Sequence, residues 1–140
     1  MANSQNFTSS SAPEPVGRYP HARQVGNLLF LSGMGPRQRG RSEIPGVTLN
    51  ESGEVVAEDI AAQCHAVFAN LRDVLEAAGS SWDRLVDVTV FLTNMRRDFA
   101  TFNRIYAEYF QDNPPCRTTV EVNALPTPIA IELKCVATID

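Results

Sequence analysis

Apolar residues recur along this chain with two different periods, and the alternation between them outlines the fold. From about Glu58 to Ala78, Ile60, Cys64, Val67, Phe68, Leu71, Val74, Leu75 and Ala78 follow the three-to-four-residue step of a helix buried on one side. Glu58 and Asp59 suit the positive N-terminal end of that helix, and Gly79 suits its stop. Between Leu85 and Leu92 the period falls to two. Val86, Val88, Val90 and Leu92 are then expected on one face of a strand, with Leu85 and Phe91 on the other. Thr93-Asn94 breaks the strand, and Asp98 is the expected cap of a second helix whose Phe99, Phe102, Tyr106, Tyr109 and Phe110 form an aromatic stripe.

Shorter segments complete the outline. Arg23-Gln24-Val25 and Leu28-Leu29-Phe30-Leu31-Ser32 flank Gly26-Asn27, a pair suited to a tight hairpin. Gly33-Met34-Gly35-Pro36 stops the second strand, and the stretch 37–46 reads as a long loop with Arg37, Arg39 and Arg41. After Pro114-Pro115 come two strands, Cys116 to Val122 and Ile129 to Val136, with Leu125-Pro126-Thr127-Pro128 as the expected turn between them. The order β-β-(β)-α-β-α-β-β predicts an α+β or α/β sandwich with both helices on one sheet face. Apolar residues on the opposite face need cover, and self-association is the simplest source of it.

Composition narrows the function without naming it. At 140 residues the chain suits one domain, placed at 16–140, preceded by a Ser/Asn/Pro-rich arm over 1–15 that is expected to be flexible. A net charge of −4 argues against a general affinity for nucleic acid or anionic membrane. The N-terminus has neither the cationic start nor the apolar run of a signal peptide, and three cysteines without framework spacing suit a reducing cytoplasm. Cys64, Cys116, Cys135, His21 and His65 lack metal-ligand spacing, so no metal is expected.

The chemistry gathers at two residues. Glu132 stands between Ile131 and Leu133, where an ionised carboxylate is costly unless it is paired or has a task. Arg117 opens the preceding strand and offers a planar fork that suits a carboxylate. With the turn at 125–128, both are expected toward the same end of neighbouring antiparallel strands. Either they form a structural ion pair, or the fork grips an acid substrate while Glu132 handles a water. Tyr19, Ser32 and Asn103 are further candidates for a pocket.

Taken in order, several motifs resemble the Rid family of enamine/imine deaminases (reactive intermediate deaminases, formerly the YjgF family). They are Gly17-Arg18-Tyr19, Val25-Gly26-Asn27, Leu31-Ser32-Gly33, Asp59-Ile60-Ala61-Ala62-Gln63, Asn70-Leu71, Gly79-Ser80, Val88 to Leu92, Asp98-Phe99 to Asn103, Pro115 to Val120 and Ile131-Glu132. Within the family, the loop 32–40, Asn113 to Arg117 and Leu125 to Leu133 are most similar to the 2-aminomuconate deaminases. The resemblance implies a chorismate-mutase-like mixed sheet, a homotrimer with sites between subunits, and hydrolysis of an enamine or imine without metal or cofactor. It assigns carboxylate binding to Arg117, water positioning to Glu132 and pocket contacts to Tyr19, Ser32 and Asn103. Thr119 stands where a cysteine is common in the family. The loop after Gly35 is longer than in common members and points to a substrate larger than 2-aminoacrylate. A dicarboxylate has a second charge to hold, and Arg37, Arg39 or Arg41 (or Arg18 or His21) could hold it. The alternatives are a general enamine/imine deaminase and a non-catalytic trimeric ligand-binding protein.

Overall fold

The computed structural model describes residues 4–140, so residues 1–3 of the expected arm lie outside the described residues. In chain order the elements are β1 (Ser4–Phe7), β2 (Ala22–Val25), β3 (Leu28–Leu31), β4 (Val47–Leu49), β5 (Val55–Glu58) and α1 (Ile60–Ala77). They continue with β6 (Leu85–Leu92), α2 (Met95–Tyr109), β7 (Cys116–Glu121) and β8 (Ile131–Thr138). Six strands form one mixed sheet in the order β1-β2-β3-β8-β6-β7, while β4 and β5 make a separate hairpin. The two helices pack on one face, which is the α+β architecture expected. Val88, Val90, Leu92, Leu133, Cys135, Leu29 and Leu31 point from the sheet into a core shared with Val67, Phe68, Leu71, Leu75 and Phe102 of the helices. Among the described residues, no helix is long and apolar enough to cross a membrane.

Local chemistry accounts for the element ends. Asp59 caps α1 by accepting from the Ala62 N–H, and Gly79, at φ 82°, closes it with Gly79 N–H bonded to Glu76 and Ser80 N–H to Leu75. The hairpin at Gly26-Asn27 forms as expected, with Gly26 at φ 62°. The α2 cap differs. Asn94, not Asp98, accepts from the Arg97 N–H, and the helix starts a turn earlier. Asp98 is instead buried in that first turn, held by two bonds from the Arg97 guanidinium at 2.7 and 2.8 Å.

Three further expectations are corrected. A bulge between Leu85 and Asp87 shifts the register of β6, so Leu85 is buried while Val86 is 40% exposed. The arm is anchored: β1 pairs with β2, and Ala12 is fully buried. His21 accepts from the Ser9 N–H (2.9 Å) and donates from Nε2 to the Pro13 carbonyl (2.7 Å). A polar composition hides such anchoring because partners distant in sequence satisfy the arm's backbone groups.

The third correction matters most. β7 and β8 are not neighbours; β6 lies between them, parallel to β7 and antiparallel to β8. Arg117 stands opposite Val88 and Glu132 opposite Phe91. That places them about 10 Å apart along the strands and about 10 Å across them. Val88 faces the helices, whereas Glu132 lies between the buried Ile131 and Leu133 and therefore faces away from them. Arg117 and Glu132 of one chain lie on opposite sides of the sheet.

Candidate active site

Glu132 lies at the start of β8, half-buried, where burial raises its carboxyl above the ordinary range. It forms the floor of a cleft of about 130 Å³ lined by Val16, Tyr19, Gly33, Arg37, Thr127 and Ile129, among others. Gly33 is what lets the carboxylate lie there. A Cβ at that position would come within 2.6 Å of Glu132 Oε2. Among the described residues no hydrogen bond or ion pair occupies the carboxylate, so its oxygens are free for a water or substrate.

Arg117 makes the second half of the candidate site, on the helix side. Its guanidinium carbon lies 4.7 Å from the Tyr106 ring centroid, 5.3 Å from Phe102 and 6.0 Å from Phe99, all on α2. Among the described residues, neither Glu132 nor Glu121 pairs with it. Glu132 is on the other face, and Glu121 accepts from the Met95 N–H at 2.9 Å. Among the described residues, Arg117 has aromatic faces for neighbours and a full set of N–H donors to give. Thr119, on the same face of β7, has a buried Oγ1 without a partner, and so does the Tyr106 hydroxyl, whose pKa burial pushes up to about 12. Asn103 lies exposed on α2, one turn from both Phe99 and Tyr106.

The remaining candidates divide. Tyr19 lines the cleft, 41% exposed, and its hydroxyl accepts from the Val16 N–H. The Ser32 hydroxyl donates to the Pro20 carbonyl at 2.7 Å, which leaves it only as an acceptor beside the cleft. Arg37 enters the cleft, with a single bond from Nη2 to the Glu14 carbonyl. Arg39 does not enter it. Its guanidinium binds the Ala12 and Ser9 carbonyls and the Glu14 carboxylate, so it straps down the arm. Arg41 lines a second, more open hollow with Arg39, and Arg37 borders both this hollow and the Glu132 cleft. Sequence reasoning missed the ring bed under Arg117. Its signal is the aromatic stripe at 99, 102 and 106.

A carboxylate poised in a glycine-floored cleft, an unpaired arginine on an aromatic bed and this sheet order can be compared with known proteins. The family model described as Endoribonuclease L-PSP matches residues 9–139. The chain belongs to this family. A RutC family protein of Pyrococcus horikoshii is 39% identical over 129 residues, covering 92% of this chain and 93% of the relative. Reactive Intermediate Deaminase A, chloroplastic, of Arabidopsis thaliana is 36% identical over 132 residues, covering 94% of this chain and 64% of that protein. Among solved structures, that of the yeast protein YEO7 superposes with a TM-score of 0.81 at 35% identity, covering 99% of this chain and 100% of that one. The Endoribonuclease L-PSP family therefore contains a named deaminase, and this chain shares its length and fold with the family's solved members.

Proposed function

We propose that the protein hydrolyses enamines or imines of carboxylic acids to the oxo acid and ammonia. One observation carries this reading: a carboxylate held short of pairing in a small cleft, in a chain that also keeps an unpaired arginine. Because the two lie on opposite sheet faces, they meet only if Arg117 of one copy approaches the Glu132 cleft of another. The uncovered sheet face offers a surface for that association, with Leu28, Phe30 and Val120 each more than a third exposed. A closed ring of three copies, the family-like assembly, would build three such sites.

In that site Arg117 holds the substrate carboxylate by a bidentate contact, and the enamine tautomerises to the electrophilic imine. Glu132 takes a proton from a bound water as its oxygen attacks the C=N carbon, giving a carbinolamine. Glu132 returns that proton to the nitrogen; the carbinolamine hydroxyl then gives up its own proton, by way of Glu132, to the nitrogen, the C–N bond breaks, ammonia leaves and the carbonyl forms. A raised carboxyl pKa suits a group that must accept and return a proton. The family description names an endoribonuclease. A net charge of −4 and a cleft of about 130 Å³ suit a small acid better than a polynucleotide.

The finer reading is a dicarboxylate substrate, 2-aminomuconate, converted to 4-oxalocrotonate. Arg37 in the Glu132 cleft supports it, because a three-carbon enamine has no second carboxylate to hold. The test is ammonia release, with EDTA present, from 2-aminomuconate made in situ and from a 2-aminoacrylate-derived imine. Faster release from the dicarboxylate is expected. Preference for the small imine would leave a general deaminase, and no ammonia from either would leave a binding protein on the same fold.

A further inference from the structure

Two buried amides on α1 bind backbone outside their own helix. Gln63 is fully buried and Asn70 is 6% exposed; seven residues apart, they share one side of α1. Asn70 Nδ2 donates to the Gly35 carbonyl at 2.8 Å and to the Arg37 carbonyl at 2.7 Å. Gln63 Oε1 accepts from the Ala130 N–H at 2.8 Å, while its Nε2 donates to the Gly46 carbonyl and the Glu58 carboxylate at 3.1 and 3.2 Å. Gly35 and Arg37 belong to one wall of the Glu132 cleft. Ala130 follows Ile129, which lines the same cleft and lies against Gly35, and precedes Glu132 by two residues. One rigid helix thus holds both segments, 35–37 and the residues leading into Glu132.

We infer that Asn70 is a specificity-determining positioning residue, fixing the backbone from which Arg37 reaches the distal carboxylate of a dicarboxylate ligand. The inference rests on the reading of Arg37 given above. Arg37 has only one hydrogen bond of its own, and its segment runs from Gly33 to Gly40, so little else sets where its guanidinium points. A single –NH₂ bonded to two carbonyls two residues apart pins that turn. Gln63 meanwhile holds the Glu132 side, so a shift at Asn70 changes the span between the two charges. Span is what separates a long diacid from a short monoacid.

Calorimetric titration with adipate, an unreactive six-carbon diacid, and with butyrate reads this role without requiring turnover. The comparison uses the wild type, Asn70→Leu, Arg37→Ala and the double variant. The wild type should bind adipate more tightly than butyrate. Asn70→Leu should weaken adipate about tenfold, the worth of one charge-assisted contact, and leave butyrate unchanged. In the Arg37→Ala background it should cost nothing further. Equal loss for both acids, unchanged adipate binding, or losses that add would overturn the role of Asn70. Should Asn70→Leu fail to fold, Asn70→Ala removes both donors without adding bulk or charge and is read in the same way. If Arg37→Ala abolishes the preference and Asn70→Leu does not, the dicarboxylate reading stands and the positioning role falls. No preference in the wild type removes both. Ammonia release is scored separately, so the deaminase reading is judged on its own.

Discussion

At the scale of single residues, Glu132 and Gly33 behave as a pair. Burial raises the Glu132 carboxyl, so the folded chain keeps a proton that the unfolded chain has already lost. Stability therefore falls as pH rises from the ordinary carboxyl range through the raised value. Glu132→Gln removes that penalty. Its melting temperature should exceed the wild type's at neutral pH, and the difference should vanish in acid; an equal difference at both pH values would refute the assignment. The same variant should lose about 10²–10⁴-fold in deamination rate, the worth of a general base. Gly33→Ala should fold, since its Cβ meets only the mobile end of Glu132. Displacing that carboxylate should nonetheless cost about 10²-fold in kcat. An active Gly33→Ala enzyme would mean that Glu132 need not lie where it does.

At the scale of elements, the helix termini test whether stability and site separate. Gly79 ends α1 at φ 82° with open space around it, so Gly79→Ala meets backbone strain and no clash. Denaturant unfolding should show a loss of about 1–2 kcal/mol, with deamination unaffected, since the site lies elsewhere. A loss of rate matching the loss of stability would show that the C-terminal end of α1, beyond Asn70, also bears on the cleft. α2 has a double task. Phe102 fills the core and Phe99 and Tyr106 flank it, yet all three also form the bed of Arg117. Their helical spacing was visible in the sequence. The second task was not, because it depends on which strand passes beside that helix.

At the scale of the whole molecule, opposite-face placement of Arg117 and Glu132 gives a sharp test. In a ring, each site takes Glu132 from one copy and Arg117 from the next. Arg117→Ala and Glu132→Gln should each be nearly inactive alone. Mixed in equal amounts and allowed to exchange subunits, they should regain about a quarter of wild-type activity, because half the Glu132 donors meet half the Arg117 donors. No recovery after verified exchange would place the site within one chain. Light scattering at about 46 kDa, three times 15.4 kDa, checks the assembly itself.

Local physics, which sequence carries directly, settled the elements: helical and alternating periods, the Gly26 and Gly79 turns, and an isolated acid at Glu132. The resemblance of ordered motifs settled the family. Tertiary structure alone decided which strands are neighbours, because insertion of β6 between β7 and β8 is a pairing between distant segments that no local pattern encodes. That insertion separates Arg117 from Glu132, expected as neighbours, and their three-residue offset along β6 puts them on opposite faces. It was likewise long-range hydrogen bonding, not composition, that separated Arg39, spent on the arm, from Arg37, left in the cleft.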